Sequence, residues 1–306
     1  MKSFKQYIAK SGELNEKLIT FGGKAYPKFG TVVVLAGGAG SGKGFVLGNL
    51  IGVEGKVLDV DALKGLAQQA PSIIQRVKDE FGVDISKEAF PMKDPANVGK
   101  LHLLLSDRLK LVDRHKEALF QSVLTSPKDR LPNLIFDVTM KDIRKFHEIV
   151  QQVKLFGYDI KNIHIVWVIN DIEVAMSQNQ KRDRTVPEDI LMMTHVGAAM
   201  TMKSILEKSE ELRKDMDGDI IFAFNKAKVD STMAVSQNPG KVVKDKDGKE
   251  KEIKGFYIKE ANYFYVKRQG KAPLSPSELG VEVLRKIAEY TPEPESWQSL
   301  LKKVSK

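Results

Sequence analysis

The stretch that decides the fold is residues 31–51, TVVVLAGGAGSGKGFVLGNLI. Its first six residues are apolar or β-branched without polar alternation, which predicts a buried strand. A glycine-rich segment at 37–44 follows directly, and 45–51 has the apolar spacing of a helix. A G-x-x-x-x-G-K sequence between a strand and a helix is the Walker A pattern, typical of a loop that binds nucleotide phosphates.

Phosphate chemistry explains each residue type in this loop. Glycines let successive backbone N–H groups converge on phosphate oxygens, and the start of the following helix adds a positive dipole end. The side chain of Lys43 can reach the β- and γ-phosphates. We therefore predict that ATP binds to Gly37, Gly38, Ala39, Gly40, Ser41, Gly42, Lys43, Gly44 and Phe45.

Gly44 departs from the usual pattern, in which Ser or Thr follows the lysine and places a hydroxyl on Mg²⁺. A water, Ser41 or a strand-end carboxylate could take this role, since Mg²⁺ commonly keeps several waters. A site that binds nucleotide but turns it over slowly is the alternative. We expect another side chain or an acceptor group to occupy the space beside Gly44.

Composition excludes several classes of protein. The 306 residues are 42% hydrophobic and 29% charged, enough to bury a substantial core, and the net charge of +9 favours anionic ligands. The absence of cysteine excludes disulfides and thiolate sites, and none of the five histidines has metal-ligand spacing, so we expect each to be a surface or core residue. No apolar run approaches the roughly 18 residues of a membrane span, and the N-terminal MKSFKQYIAKSGE is charged, so we expect a cytoplasmic protein without a membrane span.

Four further apolar runs, at 56–60, 133–138, 163–169 and 219–224, predict buried strands, and apolar spacing of three and four predicts helices at 61–81, 98–124, 141–156 and 187–214. Thr185 and Glu188 have the spacing of a capping box for the last helix. Strands that are rich in Val and Ile and alternate with helices are typical of a parallel sheet covered on both faces. We predict an α/β fold: a P-loop three-layer α/β/α architecture with a parallel five-stranded sheet.

The residue pattern changes after residue 225. Charged residues alternate there with β-forming ones, and Asp247-Gly248 is a hairpin turn signal. Helices are predicted at 277–290 and near Trp297. The predicted domains are an N-terminal helix and linker at 1–29, the P-loop domain at 30–225, and a basic β-hairpin with helices at 226–306.

Two carboxylates end the predicted strand at 56–60. Asp61 should project over the strand ends, where a substrate hydroxyl would approach the γ-phosphate, so it suits a general base. Asp59 is the second candidate and a substrate-binding residue. The alternative is that Asp61 is only the N-cap of the next helix, a role that Asp fills well.

The third strand ends in Asp137, the position of a Walker B carboxylate that binds Mg²⁺. Thr139 and Lys141 follow on the exposed turn as candidate substrate-binding residues. Arg182 and Arg184 lie in the polar loop SQNQKRDRTVPE and could close over the nucleotide, because arginines stabilise the charge of a transferring phosphoryl group. A solvated basic loop is the alternative for either arginine.

Taken in order, GGAGSGKG, VLDVD, LIFDVT, VWVIN and RDRTVPED resemble the zeta-toxin group of P-loop kinases, relatives of polynucleotide kinases and of gluconate- and shikimate-type kinases. The likeness covers residues 30–224. It implies ATP as the phosphate donor, and catalytic roles for Lys43, Asp61, Asp137 with Thr139, and the two arginines. Family members phosphorylate UDP-N-acetylglucosamine or, in related branches, nucleosides and nucleic acid ends, so the resemblance does not fix the acceptor.

The sequence thus predicts an Mg²⁺- and ATP-dependent phosphotransferase that phosphorylates a hydroxyl of a nucleotide or nucleic acid. A kinase of nucleotide sugars is one alternative, and a non-catalytic or slow nucleotide-binding module is another. The C-terminal region could bind single-stranded nucleic acid by stacking and phosphate contacts, or its aromatic residues could pack on the core. The residues concerned are Lys254, Phe256, Tyr257, Lys259, Tyr263, Phe264, Tyr265, Lys267 and Arg268.

Overall fold

The computed structural model describes residues 19–208, 212–225, 242–244, 250–252 and 262–291, together with 297, 298 and 302. The strands are β1 Val32–Ala36, β2 Lys56–Leu58, β3 Leu134–Asp137, β4 Ile163–Asn170, β5 Ile220–Asn225, β6 Val242–Lys244, β7 Glu250–Glu252 and β8 Asn262–Lys267. The α-helices are α1 Lys43–Asn49, α2 Val60–Ala67, α3 Pro71–Phe81, α4 Pro95–His102, α5 Leu111–Leu124, α6 Ile143–Leu155, α7 Ile172–Lys181, α8 Glu188–Glu207, α9 Pro276–Leu279 and α10 Val281–Tyr290.

The main sheet has six strands in the order β2-β3-β1-β4-β5-β8. The first five are parallel, as predicted, but β8 pairs antiparallel with β5, so the prediction of a purely parallel five-stranded sheet is wrong. The sixth strand covers the edge of β5, which would otherwise expose unpaired backbone groups. β6 and β7 form a separate antiparallel pair around the predicted Asp247-Gly248 turn, whose residues lie outside the described part.

Both faces of the sheet are covered, because neighbouring residues of β1 point to opposite sides. Val32 and Val34 pack in a cluster with side chains of α5, α6, α8 and α10. Val33 and Leu35 pack on the other face with α1 and the segment around Ile19. The α/β architecture with three layers therefore follows from the unbroken apolar strands. In the chain segment that connects β2 to β3, helices α2–α4 and residues 103–109 form a third cluster of their own.

Several predicted helices are divided. Residues 61–81 form α2 and α3, which are separated at Pro71, where the proline begins a helix rather than continuing one. Residues 98–124 form α4, a π-helical turn at Leu103–Arg108, and α5, with Lys110 at a φ of 52° before α5. Gly280, at a φ of 79°, separates α9 from α10.

The predicted ends of the chain are only partly described. Residues 19–29 contain no helix and form turns, with a bridge from Ile19 to Ile51; the rest of the N-terminal helix prediction lies outside the described residues. The predicted capping box before α8 is wrong: Pro187 holds the N-cap position, and the buried Thr185 hydroxyl makes no hydrogen bond to a described residue. The three-domain division stays a prediction. Within the described residues, no helix combines the length and apolar character of a bilayer span.

Within the basic aromatic region, the described side chains of β8 fix this strand to the rest of the protein. The Tyr265 hydroxyl accepts the Thr20 N–H at 2.8 Å, and Tyr263 packs on the β1–α1 cluster. The Lys267 ammonium is buried, 2.9 Å from an Asp217 carboxylate oxygen and 2.9 Å from the Gly218 carbonyl. Lys267 is therefore not available to a phosphate group. Lys254, Phe256, Tyr257, Lys259 and the Phe264 side chain lie outside the description.

The Lys267 ion pair makes a testable contribution to stability. We expect Lys267→Met to lower the free energy of unfolding by about 3 kcal/mol, because a buried carboxylate loses its partner. The loss should be at the low end of the usual range, since the Arg213 guanidinium remains 3.7 Å from Asp217. Urea unfolding measures it, with the exposed Lys271→Met as the control. A loss no larger than that of the control would show that the pair does not anchor β8.

Candidate active site

A cleft of about 870 Å³ lies at the carboxyl ends of the parallel strands. This is where an α/β sheet places its ligands. Gly37 and Gly38 do not line it, but their carbonyl oxygens accept hydrogen bonds from the Lys43 ammonium, which does. The other predicted site residues all line the cleft: Ala39, Gly40, Ser41, Gly42, Lys43, Gly44, Phe45, Asp59, Asp61, Asp137, Thr139, Lys141, Arg182 and Arg184.

The phosphate-binding loop needs glycine at specific positions. Gly40 and Gly42 adopt left-handed φ values of 75° and 93°, which residues with a side chain rarely adopt. A Cβ at Gly40 would also lie 2.6 Å from the Ala175 carbonyl oxygen of α7. At Gly44, by contrast, a Cβ would meet no described atom within 4 Å apart from its chain neighbours and the backbone of its own helix. The expectation that a side chain from elsewhere in the described part of the chain fills this space is therefore wrong, whereas an acceptor group there stays a prediction.

Helix α8 packs against the phosphate-binding loop at Gly38 and Ala39. The Ala39 N–H donates to the Thr194 hydroxyl at 3.1 Å, and the His195 ring nitrogen Nε2 lies 2.8 Å from the Ala39 carbonyl oxygen. A Cβ at Gly38 would lie 2.1 Å from the His195 ring. Burial lowers the pKa of His195, despite its bond to Ala39, and the nearby Lys43 charge adds to this effect. A neutral histidine thus packs against the loop.

Lys43 is paired within the loop. Its ammonium donates to the Gly37 carbonyl at 2.8 Å and lies 3.7 Å from an Asp137 carboxylate oxygen. Burial lowers the pKa of Lys43, and burial raises the pKa of Asp137, each opposed by the charge of the other. The loop lysine and the carboxylate at the end of β3 therefore form one charged unit at the base of the cleft.

The two carboxylates after β2 have different roles. Asp59 is the N-cap of α2: its carboxylate accepts the Asp61 N–H at 2.8 Å and the Ala62 N–H at 3.2 Å. Capping therefore falls on Asp59 and not on Asp61. The Asp61 side chain is 46% exposed and extends into the cleft, where both its oxygens bond to the Arg184 guanidinium and Oδ1 lies 3.2 Å from the Lys64 ammonium.

These cations control the ionisation of Asp61. Partial burial acts to raise its pKa, but the charges and hydrogen bonds of Arg184 and Lys64 outweigh that effect and hold the pKa below its usual value. Asp61 is consequently a carboxylate at neutral pH.

The loop between α7 and α8 carries the two arginines and is tied to its neighbours. The Asn179 side chain donates to the Val186 carbonyl at 2.7 Å and accepts the Val186 N–H at 3.0 Å. The Lys93 ammonium donates to the Arg182 carbonyl at 2.9 Å. The Arg184 side chain is only 16% exposed, so the solvated-loop alternative does not describe it.

Sequence reasoning missed several cleft residues. Lys64 follows Asp61 by three positions on one helix face, and that spacing alone could have indicated the pair. His102, Thr194 and Met193 also line the cleft, and no local signal marks them. The described lining residues hold six cations against three carboxylates. The cations are Lys43, Lys64, Lys141, Lys181, Arg182 and Arg184, and the carboxylates are Asp59, Asp61 and Asp137.

The fold and the site define an α/β protein with a Walker A loop after β1 and charged side chains at the ends of β2 and β3. No family model matches the chain, and no curated protein matches it. Solved structures that are similar include the AvrRxo1-ORF1:AvrRxo1-ORF2 complex with sulphate ions, at 11% identity and a TM-score of 0.42 over 90% of this chain and 76% of that one. The same complex with ATP has 12% identity, a TM-score of 0.42 and the same coverage. A structure from work on the PezAT chromosomal toxin–antitoxin system of Streptococcus pneumoniae has 15% identity and a TM-score of 0.38 over 92% of this chain and 90% of that one. With TM-scores below 0.5, none of these likenesses bears on what the site does.

Proposed function

We propose that the protein is an ATP-dependent phosphotransferase that moves the γ-phosphate of ATP to a hydroxyl of a nucleotide or nucleic acid. The observation that supports this most is that the Walker A lysine, Lys43, and an ionised carboxylate, Asp61, line one cleft. Its volume of about 870 Å³ is in the upper part of the range of ligand sites, which leaves room for an acceptor beside a nucleotide.

The residues divide the work of transfer. As the acceptor oxygen forms its bond to Pγ, its proton passes to a carboxylate oxygen of Asp61, and the bond between Pγ and the β,γ-bridging oxygen breaks to release ADP. Lys43, Arg182 and Arg184 stabilise the charge on the transferring group and on the β-phosphate. Lys43 exchanges its bond to the Gly37 carbonyl for phosphate oxygens, and Arg184 leaves Asp61.

The residues present fit a magnesium ion that is held largely by the nucleotide. Asp137 provides one carboxylate in the cleft, and the open space beside Gly44 can hold water. Mg²⁺ bound to nucleotides commonly uses one or two carboxylates, substrate phosphates and several waters. When bound, the ion would neutralise charge on the phosphates. The described residues contain no cluster of three or more His, Cys, Asp or Glu side chains placed to hold a metal, which agrees with a site completed by the nucleotide.

Gly44→Ser tests the missing hydroxyl. Because the space beside Gly44 is open and its φ is not left-handed, we expect this variant to fold normally and to lower the half-saturating Mg²⁺ concentration of ATP turnover. Gly48→Ser is the matched control: it also lies in α1 with open space around it, but it does not line the cleft. Magnesium titrations compare the variants. A lower turnover for Gly44→Ser at every magnesium concentration would instead support a bound ligand in that space.

The charge of the cleft supports an acceptor that carries phosphate groups. Six lining cations face three carboxylates, an excess that favours anionic ligands. A nucleotide fits this excess, and a nucleotide sugar is the second candidate.

Incubation with γ-labelled ATP tests the function directly. The panel contains nucleosides, nucleotides, oligonucleotides and UDP-N-acetylglucosamine, each with and without Mg²⁺, and Lys43→Ala as the blank. We expect label on a nucleotide or oligonucleotide. Label on the nucleotide sugar alone would support the second candidate, and ATP binding with no labelled acceptor would support a nucleotide-binding module.

A further inference from the structure

Lys64 is a buried cation at the wall of the cleft. Its side chain is 9% exposed, whereas lysines are rarely buried unless they are paired. Its ammonium lies 3.2 Å from Oδ1 of Asp61, one helical turn earlier in α2. Burying an ammonium is unfavourable, so a lysine at this position needs the opposing carboxylate. An apolar side chain would fill the same space without that requirement.

The two cations that contact Asp61 lie on different elements of the fold, one on the same helix as Asp61 and the other on a loop. Lys64 lies three residues away in the same helix, so the distance between their Cα atoms is fixed. Arg184 lies in the loop between α7 and α8 and holds both carboxylate oxygens. Under the proposed function, Arg184 has to move from Asp61 to the phosphates. Asp61 would then lose the cation that binds it most extensively.

We propose that Lys64 is a positioning residue, which holds the Asp61 carboxylate in place in the cleft when Arg184 turns to the nucleotide. This inference rests on the proposed function. Lys64 itself need not touch the reacting atoms: it restrains one oxygen, Oδ1, and leaves Oδ2 for the acceptor hydroxyl. It also keeps a negative charge on Asp61 after Arg184 has left.

Several other charges surround Asp61, and a test of Lys64 has to distinguish its effect from theirs. Besides Lys64 and Arg184, the charged or titratable groups on its side of the cleft are Asp59 at the N-cap of α2, Lys43 of the loop, Asp137 of β3, His102 of α4, Lys141 and Arg182. None of these makes a direct ion pair with Asp61 among the described residues. Replacing Lys64 alone therefore changes one specific contact.

The first experiment follows the Asp61 carboxyl carbon by NMR in the full chain labelled at aspartate, with Asp61→Asn to assign the signal. We expect Lys64→Met to raise the pKa of Asp61 by about one unit, the effect of losing an adjacent opposite charge. The shift should be larger in the presence of Mg²⁺ and the non-hydrolysable analogue AMP-PNP, which draws Arg184 away. Lys64→Arg should restore the original value, and Lys64→Gln serves as a second neutral variant if Lys64→Met does not fold.

The second experiment measures transfer from γ-labelled ATP to the nucleotide panel across pH. Removing Lys64 lets Asp61 protonate at higher pH, so the acidic limb of kcat should move up by about one unit. At pH values on that limb, kcat should fall about tenfold while the KM for ATP stays unchanged. Lys64→Arg should recover most of the rate. Lys78→Met is the control, because it removes an exposed lysine of α3 whose ammonium lies 3.7 Å from Asp84. This variant should match the wild type.

The outcomes separate the two proposals. If the wild type transfers phosphate and Lys64→Met has the same pH profile, and the Asp61 signal does not shift with AMP-PNP bound, the positioning role of Lys64 is wrong and the phosphotransferase proposal stands. A wild type that binds ATP but labels no acceptor would overturn both. A lower rate at all pH values with an unshifted acidic limb would indicate a packing role and would also overturn the inference.

Discussion

Lys43→Ala is expected to lower ATP turnover by about 10²- to 10³-fold, the usual cost of removing one preorganised charge donor from a site of this kind. ATP binding should weaken as well, because the Lys43 ammonium is the cation set within the phosphate-binding loop, 2.8 Å from the Gly37 carbonyl. Isothermal titration calorimetry measures the affinity, and release of labelled phosphate measures the turnover.

The same substitution leaves Asp137 without its 3.7 Å partner, so its folding has to be checked. Circular dichroism and the melting temperature serve for that purpose. Lys56→Ala is the control: this lysine bonds to the Ser122 hydroxyl and does not line the cleft. A folded Lys43→Ala protein with unchanged affinity and turnover would show that the loop does not bind the phosphates of ATP.

The phosphate-binding loop could be predicted from sequence because its determinants are local. Eight consecutive residues contain the glycines that the turn requires and the lysine, and the flanking strand and helix confirm the context. The parallel strands could be predicted for a similar reason. Most of them are short apolar runs that remain buried on both faces, as in Val32 and Val33 of β1. The strand predicted at 56–60 is the exception: β2 is the edge strand of the sheet, and Val57 is 40% exposed, so the prediction that this strand is buried is wrong.

The sixth strand could not be predicted to join the main sheet. Its pairing with β5 depends on residues about 40 positions apart in the sequence, and on the ion pair between Lys267 and Asp217. A lysine in a basic, aromatic stretch has the same local pattern whether it is exposed or buried. The contact of His195 with the loop carbonyl of Ala39 joins residues 156 positions apart and likewise has no local signal.

The different roles of Asp59 and Asp61 could be predicted from the sequence only in part. From the sequence both are candidates for the base, and Asp61 alone is also a candidate N-cap. The outcome depends on where the strand ends: β2 ends at Leu58 and α2 begins at Val60, which makes Asp59 the N-cap. A helix that began two residues later, at Ala62, would make Asp61 the N-cap instead, and helix boundaries are the least certain part of any sequence-based prediction.

Asp61→Asn should leave ATP affinity nearly unchanged and lower phosphate transfer by about 10²-fold or more, the usual effect of losing a general base. Asn keeps the shape of the side chain but cannot take the proton of the acceptor. Asp59→Asn should be milder, because Asn is as good an N-cap as Asp and can still accept the Asp61 N–H. Labelled-ATP transfer and calorimetry on both variants measure the two effects.

Removing the Asp61 charge also leaves Arg184 and Lys64 facing one another without their shared partner, so the melting temperature of each variant accompanies the kinetics. An Asp59→Asn protein that is inactive beside a fully active Asp61→Asn protein would assign the base to Asp59. Wild-type transfer by both would exclude a carboxylate base after β2. Acceptors whose hydroxyl groups differ in pKa identify the step that is lost. If only Asp61→Asn is defective, and its defect is smaller for acceptors of lower pKa, the lost step is proton removal, since a more acidic acceptor needs less help from a base.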